Sequence, residues 1–247
     1  MRRVPRNYLT LAQLLPNMLT VAAICAGITA IRMGVQGDFT RAVALLLVAG
    51  VLDGLDGRLA RLLRSVSAMG AELDSLADFV NFGVAAPLVL YFWGLQEMRH
   101  AGWIAVLFFA VCCVMRLARF NISAREDDGA GAAGAYFRGL PAPAGAILAM
   151  LPMLVAFAAP DMLRAPAPLV GLYMAGVGLL MISPLPVWSF KKTRVSRENA
   201  KFFLLGFASL IAALAVFTWG TLVLLSLAYV AVVGWAALIW YPKDRSG

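Results

Sequence analysis

Four aspartates, Asp53, Asp56, Asp74 and Asp78, fall in one stretch, VLDGLDGRLARLLRSVSAMGAELDSLADFVNFG, of a chain that has only 13 Asp and Glu among its 247 residues. On a helix, Asp53, Asp56, Gly57, Ala60 and Arg61 stand at i, i+3, i+4, i+7 and i+8 and share one face. Asp74 and Asp78, four residues apart, align in the same way on the next helix. Between them RLLRSVSAMG, from Arg61 to Gly70, is basic and ends in glycine, as an elbow between antiparallel helices would. The spacing predicts two carboxylate pairs facing each other. Carboxylates at this density suit hard divalent cations, Mg²⁺ or Mn²⁺, which take oxygen ligands and complete their shell with substrate phosphates. Two such cations would neutralise four acids. Gly57 and Ala60 would leave a patch free of side chains where a nucleotide can approach the backbone, and Arg61 would offer a fixed cation to its phosphate.

The surroundings are oily, which makes the acids expensive. An Asp at the centre of a spanning helix costs about 2.5–3.5 kcal/mol on insertion scales, so four unpaired ones would cost on the order of 10 kcal/mol. A structural alternative places them in interfacial water, paired with Arg58, Arg61 and Arg64. It accounts for acids at a membrane edge, but not for their shared face or for the small residues beside them. Other chemistries lack their parts. The single histidine, His100, falls on the opposite side of the predicted bundle, so neither histidine acid–base chemistry nor a multi-histidine zinc site can be assembled beside the acids. No glycine-rich P-loop lysine motif occurs.

The elements that must position these residues are membrane helices. Hydrophobic residues make up 62% of the chain and charged residues 14%, with mean hydropathy +0.83, far from the composition of soluble domains. Apolar runs near spanning length lie at about 17–36, 39–62, 72–95, 101–122, 139–159, 167–187, 199–217 and 220–240. The expected fold is therefore all-α, a polytopic bundle of about eight transmembrane helices with both termini cytoplasmic. In that orientation every Lys and Arg except Arg32, Arg41, Arg99 and Arg164 lies on the cytoplasmic side, as the positive-inside rule requires. The net charge of +8 then reflects topology and attraction to anionic membrane lipid, and calls for no nucleic acid partner. Residues 1–16 read as a cytoplasmic lead-in to a single membrane domain. Cys25, Cys112 and Cys113 fall inside spans, where small buried packing residues are expected. Trp93, Tyr173, Trp188, Trp219, Trp240 and Tyr241 near span ends suggest an interfacial aromatic belt.

Written as a pattern, the acidic window is D-x2-D-G-x2-A-R-x8-G-x3-D-x3-D, from Asp53 through Gly57, Ala60, Arg61 and Gly70 to Asp74 and Asp78. It resembles the signature of the CDP-alcohol phosphotransferase family. Further strings, LPNMLT (Leu15 to Thr20), DSLADFVNFGVAAP (Asp74 to Pro87), RLARFN (Arg116 to Asn121) and FRGLPAPAGA (Phe137 to Ala146), resemble the membrane-integral phosphatidylserine synthase branch. The resemblance covers roughly residues 17–190 as the core, with two additional C-terminal helices at about 199–240 that carry no motif. It departs where the family usually reads Ser-Phe-Gly and this chain has Asn81, Phe82 and Gly83.

The resemblance implies a CDP-diacylglycerol donor, release of CMP, and two divalent cations, Mg²⁺ or Mn²⁺, held by Asp53, Asp56, Asp74 and Asp78. It assigns Asp56, Gly57, Ala60, Arg61 and Gly70 to the nucleotide and makes Asp78 the catalytic base. L-serine would be the acceptor. Arg116, Arg119 and Arg138 would meet the lipid phosphate or the serine carboxylate. A homodimer in the cell's inner membrane, with its active site facing the cytoplasm, is also implied. Glycerol phosphate, inositol phosphate or choline as acceptor remains an alternative. A divalent-cation carrier is a third reading, disfavoured because the later spans have no acids in their interiors.

Overall fold

Each apolar run of the sequence coincides with helix in a computed structural model, which describes residues 11–127 apart from Arg64 and Val66, 136–188 apart from Leu163, Pro184 and Leu185, and 200–240. The basic cluster from Lys191 to Arg197 and the arginines before residue 11 lie outside the described residues. Helix α1 (Leu11–Val35) and α2 (Phe39–Leu62) form an antiparallel pair joined by a tight turn at Gly37. Asp38 caps α2, its carboxylate accepting from the Arg41 N–H at 3.1 Å and pairing with the Arg41 guanidinium.

The third span is one continuous helical rod of three parts: α3 (Ala68–Asp78), a π-helical segment at Phe79–Ala85, and α4 (Ala86–Gly94). It sits at the centre, touching α1, α2, α5 (His100–Asp127) and α6 (Ala142–Ala149). Half of its most apolar stretch is buried against other helices, compared with 11% for the last helix, so the rod is the axis of the bundle. Helix α7 (Leu151–Ala158) continues α6 after a break at Met150, where Pro152 removes a backbone donor in the first turn of α7. Helix α8 (Ala167–Ile182) packs along α5, while α9 (Ala200–Val216) and α10 (Thr218–Trp240) close the chain, α10 resting on α7. Leu90, Phe109, Met153, Met174 and Met181 are among the fully buried side chains of the shared core. On α9, Phe202, Phe203, Leu204 and Leu205 are more than 60% exposed, the surface of a helix that faces lipid.

This is a helical membrane protein. Four described helical runs are long and apolar enough to cross a bilayer, Leu14–Val35, Ala68–Gly94, His100–Ser123 and Thr218–Trp235, and two shorter apolar helices accompany them. Among the described residues the non-helical exception is a short antiparallel ladder between β1 (Tyr136–Arg138) and β2 (Pro186–Trp188), with Phe137 opposite Val187. It joins the segment before α6 to the segment after α8. Gly139 then turns the chain into α6 at φ +82°, and a Cβ there would stand 2.3 Å from the Met181 carbonyl oxygen, so only glycine fits.

Several sequence expectations are corrected. The elbow after α2 is shorter than the basic stretch suggested, because Ser67 caps α3 by accepting the Gly70 N–H at 3.0 Å, which places Gly70 inside the first turn. Cys112 and Cys113 are buried, but Cys25 is exposed on the outer face of α1. Tyr173 also has a tertiary role: its hydroxyl donates to the Leu148 carbonyl at 3.0 Å and ties α8 to α6.

Close helix approach depends on small residues. At Gly27 on α1, an added Cβ would stand 2.0 Å from the Asn81 Oδ1 of the π-helical segment. Gly27→Ala should therefore overpack the α1 contact and destabilise by about 1–3 kcal/mol. Thermal unfolding in detergent should show a lowered midpoint, largely restored when Asn81→Ala is added; equal losses in the single and double variants would refute the contact.

Candidate active site

Two consecutive elements bring the acids together. Helix α2 offers Asp53 and Asp56 at i and i+3, and α3, started by its Ser67 cap, offers Asp74 in its second turn. One carboxylate oxygen from each of Asp53, Asp56 and Asp74 lies within 4.8 Å of the others. Oxygens that share one hard divalent cation, each bonded at 2.0–2.6 Å, stand no more than about 4–5 Å apart, so the three can serve a single ion. Asp56 is only 3% exposed. Its Oδ2 accepts the Thr20 hydroxyl of α1 at 2.5 Å, while its Oδ1 has no partner among the described residues.

Asp78 is set apart from this trio. It faces Asp53 at hydrogen-bonding range and has Asp74 and the Arg116 guanidinium of α5 within electrostatic reach. Asp53 Oδ1 and Asp78 Oδ1 are both buried without a hydrogen-bond partner among the described residues. Buried carboxylates in contact repel unless a positive charge stands between them, and orphaned buried oxygens carry a desolvation cost until something satisfies them. The donor set, all oxygen and all anionic, is that of a hard divalent cation. The residues present fit such an ion.

The remaining predicted residues divide. Gly57 is exposed, and a Cβ there would meet nothing within 4 Å, so its backbone is open to a ligand; Gly54, one turn earlier on the chain and not singled out from sequence, is equally open. Ala60 is half-buried beside Arg61, whose Nε donates to the Gly57 carbonyl at 3.0 Å, which ties the guanidinium to its own helix. Gly70 lies against Asn17 of α1: a Cβ on it would stand 3.1 Å from Asn17 Oδ1. Among the arginines whose side chains are described, Arg116 is the one within electrostatic reach of Asp78, its guanidinium 5.3 Å from the Phe120 ring centroid. Arg119 instead donates to the Ile182 carbonyl at the end of α8. Arg138 lies in β1, and its side chain is outside the described residues.

Four side chains near the acids escaped the sequence reading of roles. Thr20 ends the string LPNMLT, and its only signal was a hydroxyl in an apolar helix. Ser75 and Asn121, in the strings DSLAD and RLARFN, exchange hydrogen bonds at 3.0–3.2 Å and lock α3 to α5 between Asp74 and Asp78. Tyr229 comes from α10, which carries no motif, yet its buried hydroxyl has no partner among the described residues and Arg116 is within electrostatic reach.

The model of the family described as CDP-alcohol phosphatidyltransferase matches residues 13–241, spanning the acidic cluster and both C-terminal helices. The chain belongs to the CDP-alcohol phosphatidyltransferase family. It is similar to the CDP-diacylglycerol--serine O-phosphatidyltransferase of Mycobacterium tuberculosis (strain ATCC 25618 / H37Rv), with 41% identity over 208 residues, 83% of this chain and 68% of the relative. Similarity to the enzyme of the same name from Helicobacter pylori (strain ATCC 700392 / 26695) is 35% over 192 residues, 78% of each chain. The Bacillus subtilis (strain 168) enzyme of that name is 32% identical over 184 residues, 72% of this chain and 92% of the relative. CDP-alcohol phosphatidyltransferases generally use divalent metals, in keeping with the cluster of three aspartates.

A cation bound between α2 and α3 would stabilise the folded chain by mass action. At a free concentration one hundred times Kd the gain is about 2.7 kcal/mol. Mn²⁺ or Mg²⁺ should therefore raise the unfolding midpoint of the detergent-solubilised protein, and Asp53→Asn, Asp56→Asn and Asp74→Asn should each abolish most of that rise. A cation-induced rise unchanged in all three variants would exclude these residues as ligands.

Proposed function

We propose that this protein is a phosphatidylserine synthase that transfers the phosphatidyl group of CDP-diacylglycerol to L-serine, giving phosphatidylserine and CMP. The observation that carries the chemistry is the cluster of Asp53, Asp56 and Asp74 with Asp78 beside it. The names of the relatives support the choice of donor and acceptor.

In this reading Asp53, Asp56 and Asp74 hold one divalent cation, Mg²⁺ or Mn²⁺, and Asp78 completes a second site with its neighbours. When bound, these cations supply electrostatic stabilisation to the diphosphate and to the departing CMP, the largest need of phosphoryl transfer. The exposed backbone at Gly57, with Ala60 and Gly70, admits the nucleotide, and Arg61 at the end of the open face meets its phosphate. Asp78, outside the trio and with an orphaned oxygen, takes the proton from the serine hydroxyl as that oxygen attacks the phosphorus bearing the lipid. The bond from phosphorus to CMP breaks as the new ester bond forms. Arg116, across from Asp78, holds the serine carboxylate in its planar fork and so presents the hydroxyl to the base. Arg119 and Arg138 are the remaining candidates for the lipid phosphate, although Arg119 already serves the end of α8. We assign the site to the cytoplasmic side of the inner membrane and the working unit to a homodimer.

Loss of a general base typically costs 10²–10⁴-fold in rate. Asp78→Asn should thus reduce serine-dependent CMP release from CDP-diacylglycerol by roughly that factor, while much of the cation-induced thermal stabilisation persists through the trio. Near-normal turnover would remove Asp78 as the base. In the wild-type protein, serine should stimulate CMP release where glycerol phosphate, inositol phosphate and choline do not, and stimulation by one of those acceptors instead would overturn the assignment.

A further inference from the structure

Helix α1 is apolar along the bundle, yet one of its hydroxyls is turned into the acidic cluster. Thr20 is 3% exposed, and its Oγ1 donates to Asp56 Oδ2 at 2.5 Å, with the Pro16 carbonyl 3.1 Å away on its other side. A threonine within a helix ordinarily satisfies its hydroxyl on the carbonyl four residues back. Here the shorter contact is to the carboxylate, at the length of an O–H···O⁻ bond, and the single hydroxyl proton serves it. The bond occupies one oxygen of Asp56 and leaves the other, Oδ1, buried and without a partner among the described residues. It also removes the freedom of a short side chain to rotate away from Asp53 and Asp74. The same face of α1 seats the start of α3, through Asn17 against Gly70, so one helix steadies both acid-bearing elements.

We infer that Thr20 is a positioning residue for the cation site: its hydroxyl fixes the Asp56 carboxylate in the orientation that joins it to Asp53 and Asp74. Thr20 touches neither substrate nor ion in this scheme and acts only through Asp56. The inference rests on the reading that the three aspartates hold a divalent cation. Partners that orient metal ligands in this way are typically worth 10–100-fold in metal affinity.

The test is a Mn²⁺ titration of the purified full chain in detergent, without substrate, with free Mn²⁺ followed by electron paramagnetic resonance. Thr20→Val keeps the shape and removes the hydroxyl, and it should weaken Mn²⁺ binding by roughly 10–100-fold. Thr20→Ser restores the hydroxyl and should bind close to wild type. Asp56→Asn is the reference for loss of the ligand itself. If Asp56→Asn abolishes binding while Thr20→Val binds like wild type, the role of Thr20 is wrong and the cation reading stands. If Thr20→Ser falls as far as Thr20→Val, the effect is packing and the inference also fails. Mn²⁺ binding unchanged in Asp56→Asn would overturn the cation reading and this inference with it. Should the valine variant not survive extraction, Thr20→Ala against Thr20→Ser makes the same comparison.

Discussion

Carboxylates crowded inside an oily bundle are unstable unless positive charge is supplied, and the architecture of this protein follows from that constraint. Asp53, Asp56 and Asp74 approach within the span of one ion, Asp78 lies at hydrogen-bonding range of Asp53, and among the described residues the protein cation in electrostatic reach of Asp78 is Arg116. A fold selected for stability alone would spread such groups toward water or pair each with arginine. The described arginines of α2 form no ion pair with these acids: Arg61 binds its own helix backbone and Arg58 is exposed. Uncompensated charge held in place by rigid helices is what a site for divalent cations and a diphosphate requires.

Rigidity is supplied by the central rod from Ala68 to Gly94 and by α1 beside it. The rod carries Asp74 and Asp78 on its α3 part and changes to π-helix immediately after Asp78, a feature often found at functional sites. The wider π turn carries Asn81, fully buried and seated on the bare backbone of Gly27. Ser75 and Asn121 pin the rod to α5, which delivers Arg116. Thr20 and Asn17 pin α1 to the acids of α2 and to the start of α3. The site is thus held by α1 and α5, through the Thr20–Asp56 and Ser75–Asn121 hydrogen bonds set into close apolar packing.

Much of this was legible in the sequence, for physical reasons. Runs of apolar residues report helices in a membrane because each backbone polar group there must be satisfied within its own segment. The 3.6-residue period placed Asp53, Asp56, Gly57 and Arg61 on one face, and the structure keeps them there. Separation of Asp78 from the trio was not legible. Four residues advance a helix by about 6 Å, so Asp78 stands a turn beyond Asp74 and meets Asp53 across the hairpin. Nor could the sequence reveal that Arg119 serves the end of α8, that Cys25 faces outward, or that Thr20 and Tyr229 reach the site. Those facts depend on which helices become neighbours, and a uniformly hydrophobic helix has no polar face to announce its partner. The short ladder at Phe137 was hidden for a related reason: its partner strand lies beyond three intervening helical segments.

The central claim is that Asp53, Asp56 and Asp74 together hold a divalent cation. It is tested most directly by anomalous diffraction at the manganese edge, from crystals grown with Mn²⁺ and a CDP-linked lipid. The account predicts an anomalous peak bonded to oxygens of all three aspartates and to the diphosphate. Manganese found elsewhere, with those carboxylates turned away from one another around the bound nucleotide, would contradict it.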